Sequence, residues 1–261
     1  YYLKETTAGD HFVLNPEQKE FTLSAEDDTV SVVYEGVTYK NERQKIQISV
    51  EKKNSVTKEA LEGVVFGLYA GEDIKNMQGK VVVEKDTLLE TKATDQEGRL
   101  TFESDLWHGH YYVKEDQHLP GYLPNDEIWE IDATYEDQNL PAILLEKEVE
   151  NQPTESYFTK TDIVTGEPVE GAKLQILDEE GTVVREWITT KEEHLEYALP
   201  AGNYFLHEEL PPLEDGYVSA EDVSFEVKED GTITKVEMQD DFSKVDISKT
   251  DITGDTELVG V

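Results

Sequence analysis

The stretch Tyr157-Phe158-Thr159-Lys160-Thr161-Asp162 decides the fold, because similar stretches surround Lys52 and Lys249. In each copy a strand-like run leads to the lysine. A glycine follows the lysine eleven residues later, at Gly63, Gly171 and Gly260. A motif that returns with constant internal spacing is typical of a repeat architecture. The chain is therefore interpreted as a series of related modules.

Two further signatures recur in step with the lysine. The first ends a strand that begins with aromatic residues, and it places a glutamate at Glu5, Glu115 and Glu208. The other closes each module with an amide or a carboxylate, at Asn41, Asn151 and Asp240. Three marks that move together predict tandem modules of about 90–110 residues.

Within each module the residue pattern is that of β-strands. Short β-branched or aromatic runs, such as Ile46–Val50 and His110–Val113, alternate with glycine-containing turns such as Asp95–Gly98, and only residues 55–61 hint at a helical turn. This pattern predicts an all-β fold of tandem Greek-key β-sandwich modules. The predicted organisation is the C-terminal part of one module at 1–44, complete modules at 45–153 and 154–243, and the start of a following module at 244–261.

The charge of the chain excludes several classes of partner. Its 59 Asp and Glu residues against 23 Lys and Arg residues give a formal net charge of −36. Such a surface repels phosphate backbones and anionic lipids, so no nucleic-acid partner is expected. No stretch approaches the ~20 apolar residues of a membrane-spanning helix, so no membrane insertion is expected. The absence of cysteine excludes disulfides and thiolate chemistry.

The recurring lysine, glutamate and amide or carboxylate lie among apolar strand residues. If the first, middle and last strands of a module pack together, the three side chains meet in its core, where charges are costly unless paired. Burial lowers the pKa of a lysine and raises that of a glutamate. A neutral amine held against an Asn or Asp side-chain carbonyl can attack it and expel ammonia or water. The predicted product is an isopeptide bond, formed once and without a cofactor, so no turnover enzyme is expected.

The three signatures together resemble the Cna B-type, SpaA-like pilin repeats of Gram-positive surface proteins, a prealbumin-like β-sandwich family. The resemblance covers nearly the whole chain. It implies that the lysine and the Asn or Asp form an autocatalytic isopeptide bond and that the glutamate assists. The implied sets are Lys52–Asn151 with Glu115 and Lys160–Asp240 with Glu208, and the partial modules contribute Glu5 with Asn41 at one end and Lys249 at the other.

Neighbouring residues leave two of these assignments open. Lys53 follows Lys52, and strand alternation favours Lys52 as the inward-facing residue. Asp241 follows Asp240, where alignment on Met238 favours Asp240.

A turn and an aromatic residue follow the glutamate in two modules. Pro120-Gly121-Tyr122 follows Glu115, and Asp215-Gly216-Tyr217 follows Glu208. No clear Pro-Gly-Tyr turn follows Glu5, so the first partial module departs from the pattern at this point.

Other patterns in the chain indicate chemistry less specifically. His108 and His110 lie two residues apart, which permits a metal site but is more typical of surface decoration, so no metal is expected. The aromatic faces of Trp107, Trp129 and Trp187 suit glycans, although strand tryptophans pack more often within a core or on a sheet face. No pair of carboxylates is marked out as a glycosidase site among the many acids.

The sequence therefore predicts a structural stalk or spacer of a secreted, cell-wall-attached bacterial surface protein of the adhesin type. Its expected partners are neighbouring modules of the same chain, and a monomer is expected. Any host extracellular-matrix protein or glycan would be bound by another region. The alternative is a ligand-binding module that recognises a host matrix protein or a glycan through the loops of the sandwich.

Overall fold

The computed structural model describes residues 1–21, 38–212 and 216–243. The chain forms two compact units, which contain Tyr1–Leu119 with Pro124–Gln152 and Pro120–Leu123 with Pro153–Val261. Lys249 and the predicted module start at 244–261 lie outside the described residues. Within the described ranges the regular structure is entirely β, and no helix there is long and apolar enough to cross a membrane.

The first unit contains a four-stranded sheet, a three-stranded sheet and two short ribbons. Its strands are β1 (Tyr2–Lys4), β2 (Gln18–Glu20), β3 (Lys45–Asn54), β4 (Val65–Ala70), β5 (Ile74–Lys75), β6 (Val81–Val83), β7 (Leu88–Ala93), β8 (Arg99–Thr101), β9 (Gly109–Gln117), β10 (Ile128–Ala133) and β11 (Ala142–Asn151). The larger sheet has the order β10-β9-β4-β7 and the smaller has the order β11-β3-β8. The ribbons are β1-β2 and β5-β6.

The second unit contains two four-stranded sheets. Its strands are β12 (Glu155–Asp162), β13 (Lys173–Leu177), β14 (Val183–Ile188), β15 (His194–Tyr197), β16 (Gly202–Leu210), β17 (Tyr217–Val218), β18 (Val223–Val227) and β19 (Thr234–Phe242). One sheet has the order β15-β12-β19-β17 and the other has the order β14-β13-β16-β18.

Successive side chains of a strand point to opposite faces of its sheet, and the apolar face of each sheet is buried in a core that both sheets share. In the second unit Phe158 and Met238 from one sheet belong to the same buried apolar cluster as Leu174, Ile176 and Leu206 from the other. Apolar residues at every second position of a strand produce such a two-layer arrangement. The all-β sandwich class expected from the sequence is confirmed.

The first and last strands of each complete module are neighbours in one sheet and run parallel. In the first unit β3 pairs with β11, and the register places Lys52 opposite Val149. In the second unit β12 pairs with β19, and Lys160 lies opposite Met238. The closing residue of each module, Asn151 or Asp240, therefore lies two positions beyond the residue that faces the lysine.

Gly98 supports the strand that carries Lys52. Its carbonyl accepts a hydrogen bond from Lys52 N at 2.7 Å. Gly98 has a φ of +73°, and a Cβ at this position would lie 2.5 Å from Lys52 O. Glycine is thus required at position 98 both for the left-handed backbone and for the close approach of this segment to the backbone of Lys52.

The core of the second unit yields a stability prediction. Leu206 is fully buried, whereas its strand neighbour Phe205 is 39% exposed on the opposite face. We expect Leu206→Ala to lower the free energy of unfolding by about 2–5 kcal/mol, because it leaves a cavity. The matched change Phe205→Ala should lower it by less than about 1 kcal/mol. Denaturant unfolding measures both free energies. Equal losses in the two variants would contradict the assignment of Leu206 to the buried face and Phe205 to the exposed face of the strand.

Candidate functional site

Strand alternation directs the predicted lysines into the cores. Along β3 the side chains of Ile48, Val50 and Lys52 are all buried, so the polar lysine continues an apolar inward face. Lys53 points the other way and pairs with Glu148 on the sheet surface. The structure thus places Lys52, rather than Lys53, at the site.

Lys52, Glu115 and Asn151 meet in the core of the first unit. Lys52 Nζ lies 2.6 Å from Asn151 Oδ1 and 2.8 Å from Glu115 Oε2. Asn151 Nδ2 donates to Glu115 Oε1 at 2.8 Å. The carboxylate therefore contacts both the amine and the amide nitrogen. Because β3 and β11 belong to one sheet and β9 to the other, the three side chains join both layers of the sandwich.

The surroundings of Lys52 make its ammonium group easier to deprotonate. The side chain is inaccessible to solvent, and its Nζ lies 5.5 Å from the centroid of the Phe66 ring. Burial lowers the pKa of Lys52, and the hydrogen bond and charge of Glu115 oppose that effect only in part. A lysine with a lowered pKa is a better nucleophile at neutral pH.

The second unit brings Lys160, Glu208 and Asp240 together in the same way. Lys160 Nζ lies 3.0 Å from Glu208 Oε1 and is in direct contact with Asp240 Oδ1. Glu208 is held from its other side, where Ala220 N donates to Oε2 at 2.8 Å. Asp240 is fully buried, whereas Asp241 is partly exposed and accepts a hydrogen bond from Phe242 N. Asp240 is thus the carboxylate that faces Lys160.

The two sets differ in charge. An ionised lysine and glutamate balance each other beside the neutral Asn151, but Asp240 adds a further acid to the second site. Burial raises the pKa of Asp240 to about 6; contact with Lys160 opposes this shift, and the nearby Glu208 adds to it. A buried carboxyl beside another acid tends to keep its proton, which is the form that can lose water on attack by an amine.

The first partial module reproduces part of the arrangement. Asn41 Nδ2 donates to Glu5 Oε1 and Oε2, each at 2.8 Å. Asn15 N donates to Glu5 Oε2 at 2.7 Å, as Ala220 N does to Glu208 in the second unit. The structure thus brings Glu5 and Asn41 together, as the repeat predicts, while Lys249 lies outside the described residues.

The turn that the sequence does not show after Glu5 is present in the structure. Asp10-His11-Phe12 takes the place of Pro120-Gly121-Tyr122, since Phe12 bridges to Arg43 as Tyr122 bridges to Pro153. His11 has a φ of 75° where Gly121 has 85°. The first partial module therefore departs from the motif in sequence but keeps the turn, because a histidine takes the left-handed backbone position of the glycine.

The sequence also gave no role to the residue two positions after each lysine. Asn54 Oδ1 accepts from Val56 N at 2.8 Å and Thr57 N at 3.1 Å, and Asp162 Oδ1 accepts from Val164 N at 2.8 Å and Thr165 N at 2.7 Å. Both residues close the turn that ends the lysine strand. Residues 55–57 form this turn rather than the start of a helix. The Lys-x-Asn/Asp spacing, which recurs at both lysines, is the sequence feature that could have indicated this turn.

His108 and His110 do not share a site. His110 Nδ1 contacts Asp132 Oδ1 and its Nε2 contacts Glu130 Oε2, both at 2.7 Å. His108 instead faces His11. Among the described residues no group of three or more His, Asp or Glu side chains is arranged to hold a metal ion.

The three tryptophans are partly buried in different surroundings. Trp107 lies beneath the Arg43 guanidinium at 4.1 Å, and Trp187 stacks on His194 with ring centroids 4.1 Å apart. Trp129 lines a cavity of about 10 Å³ beside Glu115.

Both units are thus β-sandwich modules in which the first and last strands pair and a buried lysine meets a glutamate and an Asn or Asp. The family model described as SpaA, prealbumin-like fold domain, matches residues 46–146 and 155–241. The chain belongs to this family, which confirms the resemblance seen in the sequence. No curated protein matches the sequence.

Several solved structures resemble the chain. The Bacillus anthracis TIE protein is 25% identical with a TM-score of 0.51, and the match covers 92% of this chain and 41% of that chain. The chain thus spans about two fifths of that relative's length. The shaft pilin SpaA of Lactobacillus rhamnosus GG is 16% identical with a TM-score of 0.39, covering 77% of this chain and 98% of the pilin. A streptococcal ancillary pilin is 20% identical with a TM-score of 0.35, covering 93% and 75%.

The pKa of Asp240 predicts how the second unit responds to pH when no bond to this residue can form, as in Lys160→Met. The folded-state pKa lies above the unfolded value of 3.8, so the folded state holds the proton more tightly. We expect the unfolding free energy of this variant to be highest below the unfolded value. It should fall as the pH rises through the folded-state pKa of Asp240, which lies above about 6 in this variant because Lys160 no longer lowers it.

Thermal unfolding of Lys160→Met across about pH 4 to 8 measures this effect. The matched double variant Lys160→Met/Asp240→Asn lacks the buried acid and should show a smaller slope. A single variant that gains stability as the pH rises would contradict the assignment of Asp240.

Proposed function

We propose that this chain is a stalk or spacer segment of a bacterial surface protein and that each complete module is locked by an isopeptide bond between its first and last strands. The observation that carries the proposal is the contact of Lys52 Nζ with Asn151 Oδ1 at 2.6 Å, with Glu115 touching both partners in a buried site. Membership of the SpaA, prealbumin-like family supports the structural role.

In the first unit the reaction begins at Lys52. Glu115 takes a proton from the ammonium, and the free amine attacks Asn151 Cγ. The Nζ–Cγ bond forms and the Cγ–Nδ2 bond breaks, so the products are an amide and ammonia, which leaves with the lysine proton as ammonium. Glu115 suits both transfers, because one oxygen lies 2.8 Å from Nζ and the other 2.8 Å from Nδ2.

The second unit uses the same steps with a different leaving group. Lys160 attacks the Cγ of Asp240, and one carboxyl oxygen departs as water. Glu208, 3.0 Å from Nζ, is placed to accept the lysine proton. In its protonated form the Asp240 carboxyl loses its hydroxyl group, which leaves as water with a second proton from the Lys160 amine as the Nζ–Cγ bond forms. Because the chain consumes its own side chains, each site reacts once and the module is not a turnover enzyme.

A lock of this kind suits a segment exposed outside the cell. Without cysteine the chain has no disulfides, and an amide bond between strands resists reductants as well as denaturants. The acidic surface keeps the modules soluble and discourages self-association. We therefore assign the chain to the cell surface, with neighbouring modules of the same protein as its structural partners.

Intact mass tests the bonds directly. We expect the purified, denatured chain to be lighter than its calculated mass by one ammonia and one water. Glu115→Ala should restore the ammonia alone, and Glu208→Ala should restore the water alone, because each glutamate serves its own module. As a control, Glu127→Ala removes an exposed glutamate that pairs with Lys147 and should leave both deficits in place.

Exchanging the closing residues separates chemistry from folding. Asn151→Asp should change the total deficit to two waters, and Asp240→Asn should change it to two ammonias. A chain at its full calculated mass would contradict the proposed isopeptide bonds, since Lys52 and Lys160 would then be only buried ionic groups.

The lock also predicts a stability difference. The bond in the first unit closes a loop between residues 99 apart in sequence, for which chain entropy gives about 4–5 kcal/mol. We expect Glu115→Gln to lower the unfolding free energy of this unit by at least about 4 kcal/mol, because it also leaves the Lys52 charge unpaired. Glu127→Gln should change it by less than about 1 kcal/mol.

Denaturant unfolding with mass measured on the same sample links the two effects. Reductant should leave the wild-type midpoint unchanged. If a Glu115→Gln chain lost its cross-link but kept the wild-type stability, the bond would contribute nothing to the unfolding free energy.

A further inference from the structure

Residues 8–14 pack against the complete module of the first unit. Leu14 N donates to Gln138 O at 2.7 Å, and Ala8 N donates to Gln138 Oε1 at 2.7 Å. His11 lies in the middle of this contact, and it is the residue that replaces a turn glycine.

The backbone of His11 disfavours a side chain. Its φ of 75° matches the values of 85° at Gly121 and 84° at Gly216, the glycines at the same place in the other two copies. A residue with a Cβ is strained in this left-handed region. The contacts of the His11 imidazole must therefore offset a strain that glycine avoids.

The imidazole of His11 packs on a second histidine. His11 Nδ1 and His108 Nδ1 are 3.0 Å apart, and the ring centroids are 4.8 Å apart. Tyr135 covers the pair, with its ring 5.9 Å from each histidine ring, and its hydroxyl donates to Phe12 O at 3.3 Å. All three rings are half-buried.

The surrounding bonds fix where the protons lie. Gln44 Nε2 donates to Asp137 O and Leu140 O, so Gln44 Oε1 is the atom that faces His108 Nε2 at 3.3 Å. An oxygen can only accept, so His108 carries its proton on Nε2 and leaves Nδ1 bare. His11 Nδ1–H then donates to it. The contact is complete only while His108 is neutral.

We propose that the His11–His108 pair is an acid-released clasp, which holds residues 8–14 on the module at neutral pH and lets them go in a mildly acidic medium. The inference concerns the joint between residues 8–14 and the module and is independent of the isopeptide bonds.

The charges around the pair oppose protonation. The pKa of His108 is lowered to about 4, chiefly by burial, and the charges of His11 and Arg43 contribute in the same direction. Arg43 is itself paired with Asp105. Asp10 and Asp137 act on Tyr135 at the edge of the cluster.

The direction of the effect follows from these values. Once residues 8–14 detach, His108 is exposed and takes up a proton near its ordinary value of 6.5. While residues 8–14 are packed on the module, His108 takes up a proton only near pH 4. Docking is therefore strongest above about 6.5 and weakens as the pH falls toward 4.

Hydrogen exchange of the full chain tests the clasp. The amides of Ala8, bonded to Gln138 Oε1, and Leu14, bonded to Gln138 O, report docking. After correction for the intrinsic rate, their protection should fall by at least about tenfold between pH 7.5 and 5. The amide of Phe102, bonded to Ile48 O, serves as the reference within the module and should keep its protection.

Two variants each remove one member of the pair. His108→Gln cannot take up a proton. His11→Gly leaves His108 without its partner and restores the residue that the backbone favours, so folding is preserved in at least this variant. In both variants the protection of Ala8 and Leu14 should change less than about twofold over the same pH range. His207→Gln, which removes an exposed histidine paired with Asp222, should behave as the wild type.

Either of two results would overturn the clasp. One is wild-type protection that stays constant between the two pH values. The other is an equal loss of protection in the wild type and in His11→Gly, which would assign the pH response to other groups.

Discussion

Parallel pairing of the first and last strands is the constraint on which the rest of each module depends. It brings together two residues, Lys52 and Asn151, that lie at opposite ends of the module in sequence. Alternation then turns both side chains inward, and β9 delivers Glu115 from the opposite sheet. The three polar groups can be buried only because each finds a partner in the others.

The two units share this design but differ at a single functional group. Asn151 presents an amide whose nitrogen already donates to Glu115, so amine, amide and carboxylate form a closed, neutral set. Asp240 presents an acid, and Glu208 is held instead by the backbone at Ala220. The same fold thus supports two versions of the site. One closes with an uncharged amide and the other closes with a carboxyl group that can gain or lose a proton.

The sequence was sufficient for the fold class and for the residues that meet in each core, because period-two alternation and repeat spacing are local signals. It favoured Lys52 over Lys53 for the same reason, and the structure decided between them. It could not show that His11 takes a glycine's place, since the backbone preference was overridden by contacts with His108, a residue far along the chain. Nor did it give a role to the turn residue Asn54, although the repeated Lys-x-Asn/Asp motif contains this residue.

The direction of the paired strands has a consequence for a protein under tension. The chain enters a module at Lys45, at one end of β3, and leaves at Asn151, at the far end of β11. A pull on the two ends would slide the strands past each other, so the ladder hydrogen bonds would have to fail together instead of unzipping one at a time. The geometry of the sheet alone thus gives each module resistance to stretching before any covalent bond is considered.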